Sequence, residues 1–409
     1  MSVKAISCPN CGGGVELRGM SHTLSAVCVN CLSVLDASTP QVRVLQQFQE
    51  AARTQPKIPL GTRGKLQGHV WEAMGFQTRA IQVEGAAYSW DEYLLFNPYQ
   101  GFRYLSEYNG HWNFIRPARG WPAPRGNNFS YEGRSYKHFQ STRPVTAYAM
   151  GEFPWRVRVN DEVWAADYTA PPYLLSCEST EGERTWSIGL YVAGAEVARA
   201  FSLAQPLPPA AGVFANQPNP HAVGTLWRTC LWLTIGLFAV MTMFGFLASS
   251  ERIFARQYAV AGAESDAVTT PQFEIGGHGG QNVEVHAAAS LSQTYLYLNL
   301  TLVNAASGEA YSAGRELETE SSRATVKDSV VFSQVAPGRY YLRVEPDTDK
   351  NSPALRYGGL HYDVEVWRDV PHYLFFWLAV PLMALPAIFA TFRKSAFETA
   401  RWQESDHAS

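Results

Sequence analysis

The sequence predicts a mainly β, multidomain membrane protein, on three observations. Two uncharged apolar runs, each long enough to cross a bilayer, interrupt its second half. Most of the remainder reads as short alternating strands divided by Gly and Pro, and four of the six cysteines fall within the first 31 positions. The 409 residues leave room for about two to four domains. The 12 Trp, 20 Tyr and 21 Phe, with 32 Gly and 24 Pro, favour strands and turns over long helices. A formal net charge of −3 argues against a general nucleic-acid binder, and no nucleic-acid partner is expected.

The cysteines come first. Cys8-x-x-Cys11 and Cys28-x-x-Cys31 are two pairs separated by sixteen residues, a spacing that suits a four-cysteine metal site. Each two-residue gap lets one tight turn aim both thiolates at a single ion. Gly12, Gly13 and Gly14 are expected where φ > 0 is needed and a side chain would clash. Residues 1–38 therefore read as a zinc ribbon with Zn2+ held by Cys8, Cys11, Cys28 and Cys31. Disulfides and a redox pair are the alternatives, but a thioredoxin-like CxxC belongs in a βαβ context, which this stretch lacks. So small a module has little core of its own, whereas structural zinc supplies roughly 10–16 kcal/mol of apparent binding energy. Four thiolates leave no position for water, so the ion is expected to be structural. The opening MSVKAISCPN leads straight into this module rather than through an apolar leader.

Pro40–Arg53 carries Val42, Leu45 and Phe48 at a three-residue spacing, which predicts a short coupling helix over 40–53. Residues 57–200 then alternate in strand-length runs with turn dipeptides and predict a β-rich domain. Here GTRGKLQGHVWEAMGF, W-x-EYLLF and G-F-R-Y-L-x-E-x-N-G-H-W are followed by GEFPW and YTAPPYLLS. These segments resemble the bacterial domain of unknown function 4178. The resemblance implies a β-rich domain and brings no activity or catalytic residue with it; a ribbon ahead and membrane segments behind are similar to an arrangement among its members.

Within this domain, residues 53–160 hold 14 Lys/Arg against 7 Asp/Glu, while 161–200 hold 2 against 7. The basic half suits either dispersed, solvated charges or contact with anionic lipid headgroups.

Residues 201–223 are rich in Pro and Ala and predict a semi-rigid linker. The apolar runs predict transmembrane helices over 227–250 and 370–392; Thr229–Ser250 and Val370–Phe392 contain no Asp, Glu, Lys or Arg. Trp227, Trp232, Tyr373 and Trp377 lie near their ends, where interfacial rings prefer to sit. Two spans put both ends of the chain on one side. Arg228, Arg393, Lys394 and Arg401 flank that side and Arg252, Arg256, Arg356 and Arg368 the other, so the charges are balanced. The thiol site breaks the tie in favour of a reducing compartment. The expected placement is an inner-membrane, two-pass protein with both termini cytoplasmic, a tail over 393–409, and a periplasmic β-sandwich-like domain over 251–369.

Nothing in the sequence spells out a reaction. The chain has no GxxxxGK[ST], HExxH, GxSxG or Rossmann fingerprint. Cys177 has His138 and Asp167 within sequence reach but reads as a buried strand residue. Asp91 and Glu92 are adjacent and point to opposite faces of a strand. His278 and His286 sit in a Gly-rich loop without a carboxylate cluster. The expected function is a non-catalytic membrane-anchored adaptor joining cytoplasmic protein partners to an envelope-side domain. Oligomerisation is compatible with it. An enzyme with its site in 57–200, or an accessory subunit of a transport complex, stands as the alternative.

Overall fold

The computed structural model describes residues 4–19, 22–39, 41–47, 55–83, 85–180, 182–260, 267–277, 279–321, 324–349, 355 and 359–407. They fall into two compact units, Met1–Val223 with Phe389–Ser409, and Gly224–Ile388.

In the first unit the strands begin with β1 (Lys4–Ser7), β2 (Gly14–Leu17), β3 (Ser25–Val27), β4 (Val34–Asp36) and β5 (Arg43–Gln46). Next come β6 (Arg63–Leu66), β7 (His69–Val83), β8 (Ala86–Asn97), β9 (Gly101–Tyr108), β10 (His111–Pro117), β11 (Ala123–Arg125) and β12 (Asn128–Tyr131). The last are β13 (Arg134–Thr142), β14 (Val145–Phe153), β15 (Trp164–Ala170), β16 (Tyr173–Thr180) and β17 (Glu183–Val192). β1 and β2 pair only with each other; the others form one antiparallel sheet in the order β11-β12-β13-β15-β16-β17-β10-β9-β8-β7-β14-β3-β4-β5, with β6 on β7.

Two-residue turns fix the register. Gln67-Gly68, Asn109-Gly110 and Glu132-Gly133 each place both central residues at positive φ, the geometry that follows the right-handed twist of a hairpin. The sheet bends back on itself. Arg79 on β7 reaches Glu178 on β16 at 2.9 Å, although β8, β9, β10 and β17 lie between those strands. Outside the bend, Trp71, Phe76, Tyr93 and Trp112 are buried under helix α1 (Gly194–Ala200) and Phe201. Such side chains contribute about 1.5–3 kcal/mol each.

One expectation is corrected here. Arg43–Gln46 is a strand paired with β4, not part of a helix over 40–53; residues 48–54 lie outside the described residues. A short isolated helix is marginal, while β4 offers ready backbone partners and Val44 is β-branched. The linker expected over 201–223 is held against the sheet. His111 hydrogen-bonds the Ala211 carbonyl at 3.0 Å, and buried Asn216 donates to Asn113 at 2.7 Å and to the Pro172 carbonyl at 3.0 Å. Helix α2 (Val223–Leu247) follows.

The end of α3 (Leu374–Gln403) belongs to the same unit. Arg401, 1 % exposed, donates to the carbonyls of Phe214 and Ala215 at 2.9 and 2.7 Å and of Gln217 at 2.7 Å, and pairs with Glu398 at 2.9 Å. Trp402 packs with Phe139 and Phe214, and Asp406 accepts from the Ser141 amide at 2.7 Å.

The second unit contains two β-sheets. β18 (Glu251–Val260), β26 (Leu360–Arg368), β21 (Gln281–Leu291) and β24 (Ala324–Val335) form one; β19 (Val268–Thr269), β25 (Gly338–Thr348), β22 (Thr294–Asn304) and β23 (Ala310–Thr319) form the other, with β20 (Phe273–Ile275) on β25. Strict alternation drives the packing. Leu296, Leu298, Leu300 and Leu302 are fully buried against Val283, Val285, Val364 and Val366, while the residues between them stay wetter. The unit also holds two long apolar helices, α2 and the first part of α3, each long enough and apolar enough to cross a membrane. Their side chains are largely uncovered; Leu233, Phe246, Phe375 and Leu382 are all exposed.

Candidate metal centre

β1–β2 and β3–β4 are two hairpins, and each supplies one cysteine pair from its turn. The turns repeat one design. The Gly12 amide donates to the Cys8 carbonyl at 2.8 Å and the Leu32 amide to the Cys28 carbonyl at 2.9 Å. Cys8 and Cys28 return the pattern to Gly13 and Ser33 at 2.8 and 3.0 Å. The residue after each second cysteine is left-handed, Gly12 at φ +73° and Leu32 at +57°. Of the three consecutive glycines only Gly12 therefore serves that purpose. Gly13 leaves room for the Asn30 side chain instead, whose Nδ2 would lie 2.1 Å from a Cβ there and would have to move aside. Gly14 has open space around it, which corrects the expectation for that position.

The four sulfurs converge. Cys8 and Cys31 stand 3.6 Å apart, Cys11 and Cys28 likewise, and all four Sγ atoms lie within 4.8 Å of one another. A tetrahedron with metal–sulfur bonds of about 2.3 Å has sulfur–sulfur edges of about 3.8 Å, so the donor set fits such an ion. A disulfide needs about 2.05 Å, and all six cysteines are free. The thiols compete over charge. A hydrogen bond with the Ser33 hydroxyl leads in holding Cys31 down at about 6. At Cys11 the Gly13 amide lowers the value, but neighbouring thiols and burial prevail and push it up to about 12. Four thiolates cannot share this volume without a cation, and a soft divalent ion with four sulfur ligands answers that need.

The hairpins are welded to the large sheet. β3 pairs with the end of β14 over Ser25–Val27 and Gly151–Phe153. Beside that seam the buried Glu152 carboxylate accepts from the Arg18 amide at 2.6 Å, the Gly19 amide at 2.9 Å and the Thr23 hydroxyl at 2.7 Å. Ser25 Oγ donates to the Trp155 carbonyl at 2.6 Å. Nothing local in the sequence marks Glu152 for this role; its partners lie more than 120 residues upstream, and a lone acidic residue in a strand carries no periodic signal.

The other residues singled out in the sequence are dispersed. Cys177 is buried opposite Trp186, with its thiol pushed up by burial. Asp167 pairs in register with Ser176 and so faces the other side of the sheet from Cys177. His138 instead hydrogen-bonds His407 at 3.0 Å and Ser141 at 2.9 Å. Asp91 and Glu92 do part company: Asp91 meets Lys57 at 3.5 Å and Thr78 at 3.0 Å, Glu92 meets Gln77 and Trp90, both at 2.7 Å. His286 pairs with Glu284 at 3.2 Å; His278 lies outside the described residues.

Comparison with known proteins places one part of the chain. The family model described as a domain of unknown function (DUF4178) matches residues 59–194. No curated protein matches the chain. Among solved structures, an insecticidal delta-endotoxin, Cry8Ea1 of Bacillus thuringiensis, is 8% identical with TM-score 0.18 and coverage of 77% of this chain. The chain spans 54% of that toxin's length. The infectious bursal disease virus Gx strain structure is 10% identical with TM-score 0.18, covering 75% of this chain and 74% of the other. Superpositions this loose carry no statement about fold or function.

Proposed function

We propose that this chain, whose residues 59–194 belong to the DUF4178 family, is a non-catalytic membrane-anchored adaptor with a structural Zn2+ at Cys8, Cys11, Cys28 and Cys31. In this reading α2 and the apolar part of α3 cross the inner membrane, both termini face the cytoplasm, and residues 251–369 form the periplasmic domain. The observation that carries it is the closed four-sulfur cluster, every member of which lies within 4.8 Å of the others. A shell filled by protein donors leaves no position for substrate water, so the ion would hold shape rather than perform chemistry.

The residues around it have the matching task. Ser33 and Asn10 orient the sulfurs' surroundings, with Asn10 Nδ2 donating to Ser33 Oγ at 3.0 Å. Val29 on the second turn is 55% exposed, a side chain offered to a partner rather than to the core. Protein partners at the membrane would read this end of the large sheet while the sandwich faces the envelope.

The test is made on the full chain purified in detergent. Metal analysis should return one zinc per chain, and Cys11→Ser or Cys28→Ser should lose it while Cys177→Ser keeps it. Photo-crosslinkers placed at Val29 in native membranes should capture a defined protein set that the Cys28→Ser variant loses. A metal-free wild-type protein, or the same captured set from both chains, overturns the proposal. Reporter fusions after Asp347 and after His407 should report opposite sides of the membrane.

A further inference from the structure

The hairpin β11–β12 and the loop that leads into it carry charge of one sign only. From Pro117 to Tyr131 the sequence is PARGWPAPRGNNFSY, which contains two arginines and no acidic residue. The loop is built to hold a shape. Gly120 turns at φ +85°. The Tyr131 hydroxyl accepts from the Arg119 amide at 2.7 Å and donates to the Arg119 carbonyl at 3.3 Å. Pro122 is buried beneath, and the Ala118 amide donates to the Trp186 carbonyl at 2.8 Å.

That scaffold presents Trp121 to solvent at 72% exposure, between exposed Arg119 and Arg125. An indole is an expensive group to leave in water, and one held out by a buried proline and a clamped backbone is presented rather than stranded. The surrounding charge is uncompensated. Glu132 pairs with Arg116 at 2.6 Å, but Arg119 and Arg125 have no carboxylate partner among the described ion pairs. Arg103 nearby is held down first by burial and then by the positive charges of Arg116 and Arg119.

We infer that this hairpin is a membrane-surface finger, with Trp121 seated at the headgroup level and Arg119 and Arg125 on the phosphates of anionic lipids. The inference rests on the membrane anchoring proposed above, which keeps a bilayer within reach. An amphipathic ring between two guanidinium groups matches an anionic interface in both terms: the ring prefers the boundary between chains and headgroups, and the cations prefer its charge.

Hydrogen–deuterium exchange on the full chain in nanodiscs tests it, comparing phosphatidylcholine alone with a mixture containing phosphatidylglycerol. Amides of 117–131 should exchange up to about thirtyfold more slowly in the anionic discs, since two basic contacts act together. The Asn109-Gly110 turn serves as the internal control and should not change. Trp121→Ser and the double variant Arg119→Gln/Arg125→Gln should each abolish the difference. High salt should do the same to the wild type, which keeps the test independent of how the variants fold. Equal exchange in both lipids with the protein incorporated overturns the finger and leaves the anchoring intact. Failure to incorporate into discs overturns the anchoring itself. Protection by an added RNA oligonucleotide with no lipid effect also overturns the finger.

Discussion

One carboxylate, Glu152, satisfies two backbone amides and a hydroxyl at the seam between the metal module and the large sheet. Hydrogen bonds to a charged acceptor contribute about 1.5–3 kcal/mol. Glu152→Gln turns one acceptor oxygen into a donor facing donors, so it should cost about 2 kcal/mol in thermal melts of the purified chain. Its zinc content should stay at the wild-type level, because no sulfur moves. Asp167 makes the opposite case. Burial pushes its carboxyl up against the hydrogen bonds from Ser176 and Gln140, and Glu92 adds to the push. Its folded form holds the proton more tightly than the unfolded chain does. The stability it contributes is therefore present below the ordinary carboxylate range of about 4 and is lost as pH rises through the raised folded value. Asp167→Asn should match the wild type in acid and melt at a higher temperature than it at pH 8. A constant offset across pH would refute the assignment.

Elements were legible to the extent that their signal is local. Leu296, Leu298, Leu300 and Leu302 alternate with polar residues, and the strand follows. The two uncharged runs become the two long apolar helices for the same reason. Where partners are distant the signal fails. Val42, Leu45 and Phe48 have helical spacing, yet β4 supplies the backbone bonds that a short helix could not make strongly enough for itself. The fate of the last turn of α3 was equally unreadable, because the carbonyl nest that receives Arg401 is made by Phe214, Ala215 and Gln217. Arg401→Met strips those carbonyls of their donors and leaves Glu398 with the Asn219 side-chain amide, which donates to it at 2.8 Å. The orphaned carbonyls should cost about 2 kcal/mol, read as faster amide exchange over 211–217. Arg401→Lys should recover only part, since an ammonium lacks the planar fork.

At the scale of the molecule, the cysteine spacing foretold the four-sulfur cluster, but not its union with the domain behind it. The β3–β14 pairing spans Ser25–Val27 and Gly151–Phe153, a long-range register that neither segment announces. Chelation should accordingly be felt beyond the ribbon. Removing the proposed zinc should raise amide exchange across 151–153 as well as 25–36, whereas an independent bead would leave the former untouched. The docking of α3 has a different consequence, one of timing. Arg401 closes a nest formed from residues that leave the ribosome long before it does, with all of Gly224–Ile388 translated in between. The N-terminal body must wait through the making of both helices and the sandwich before it can be sealed, so quality control during synthesis would meet it open.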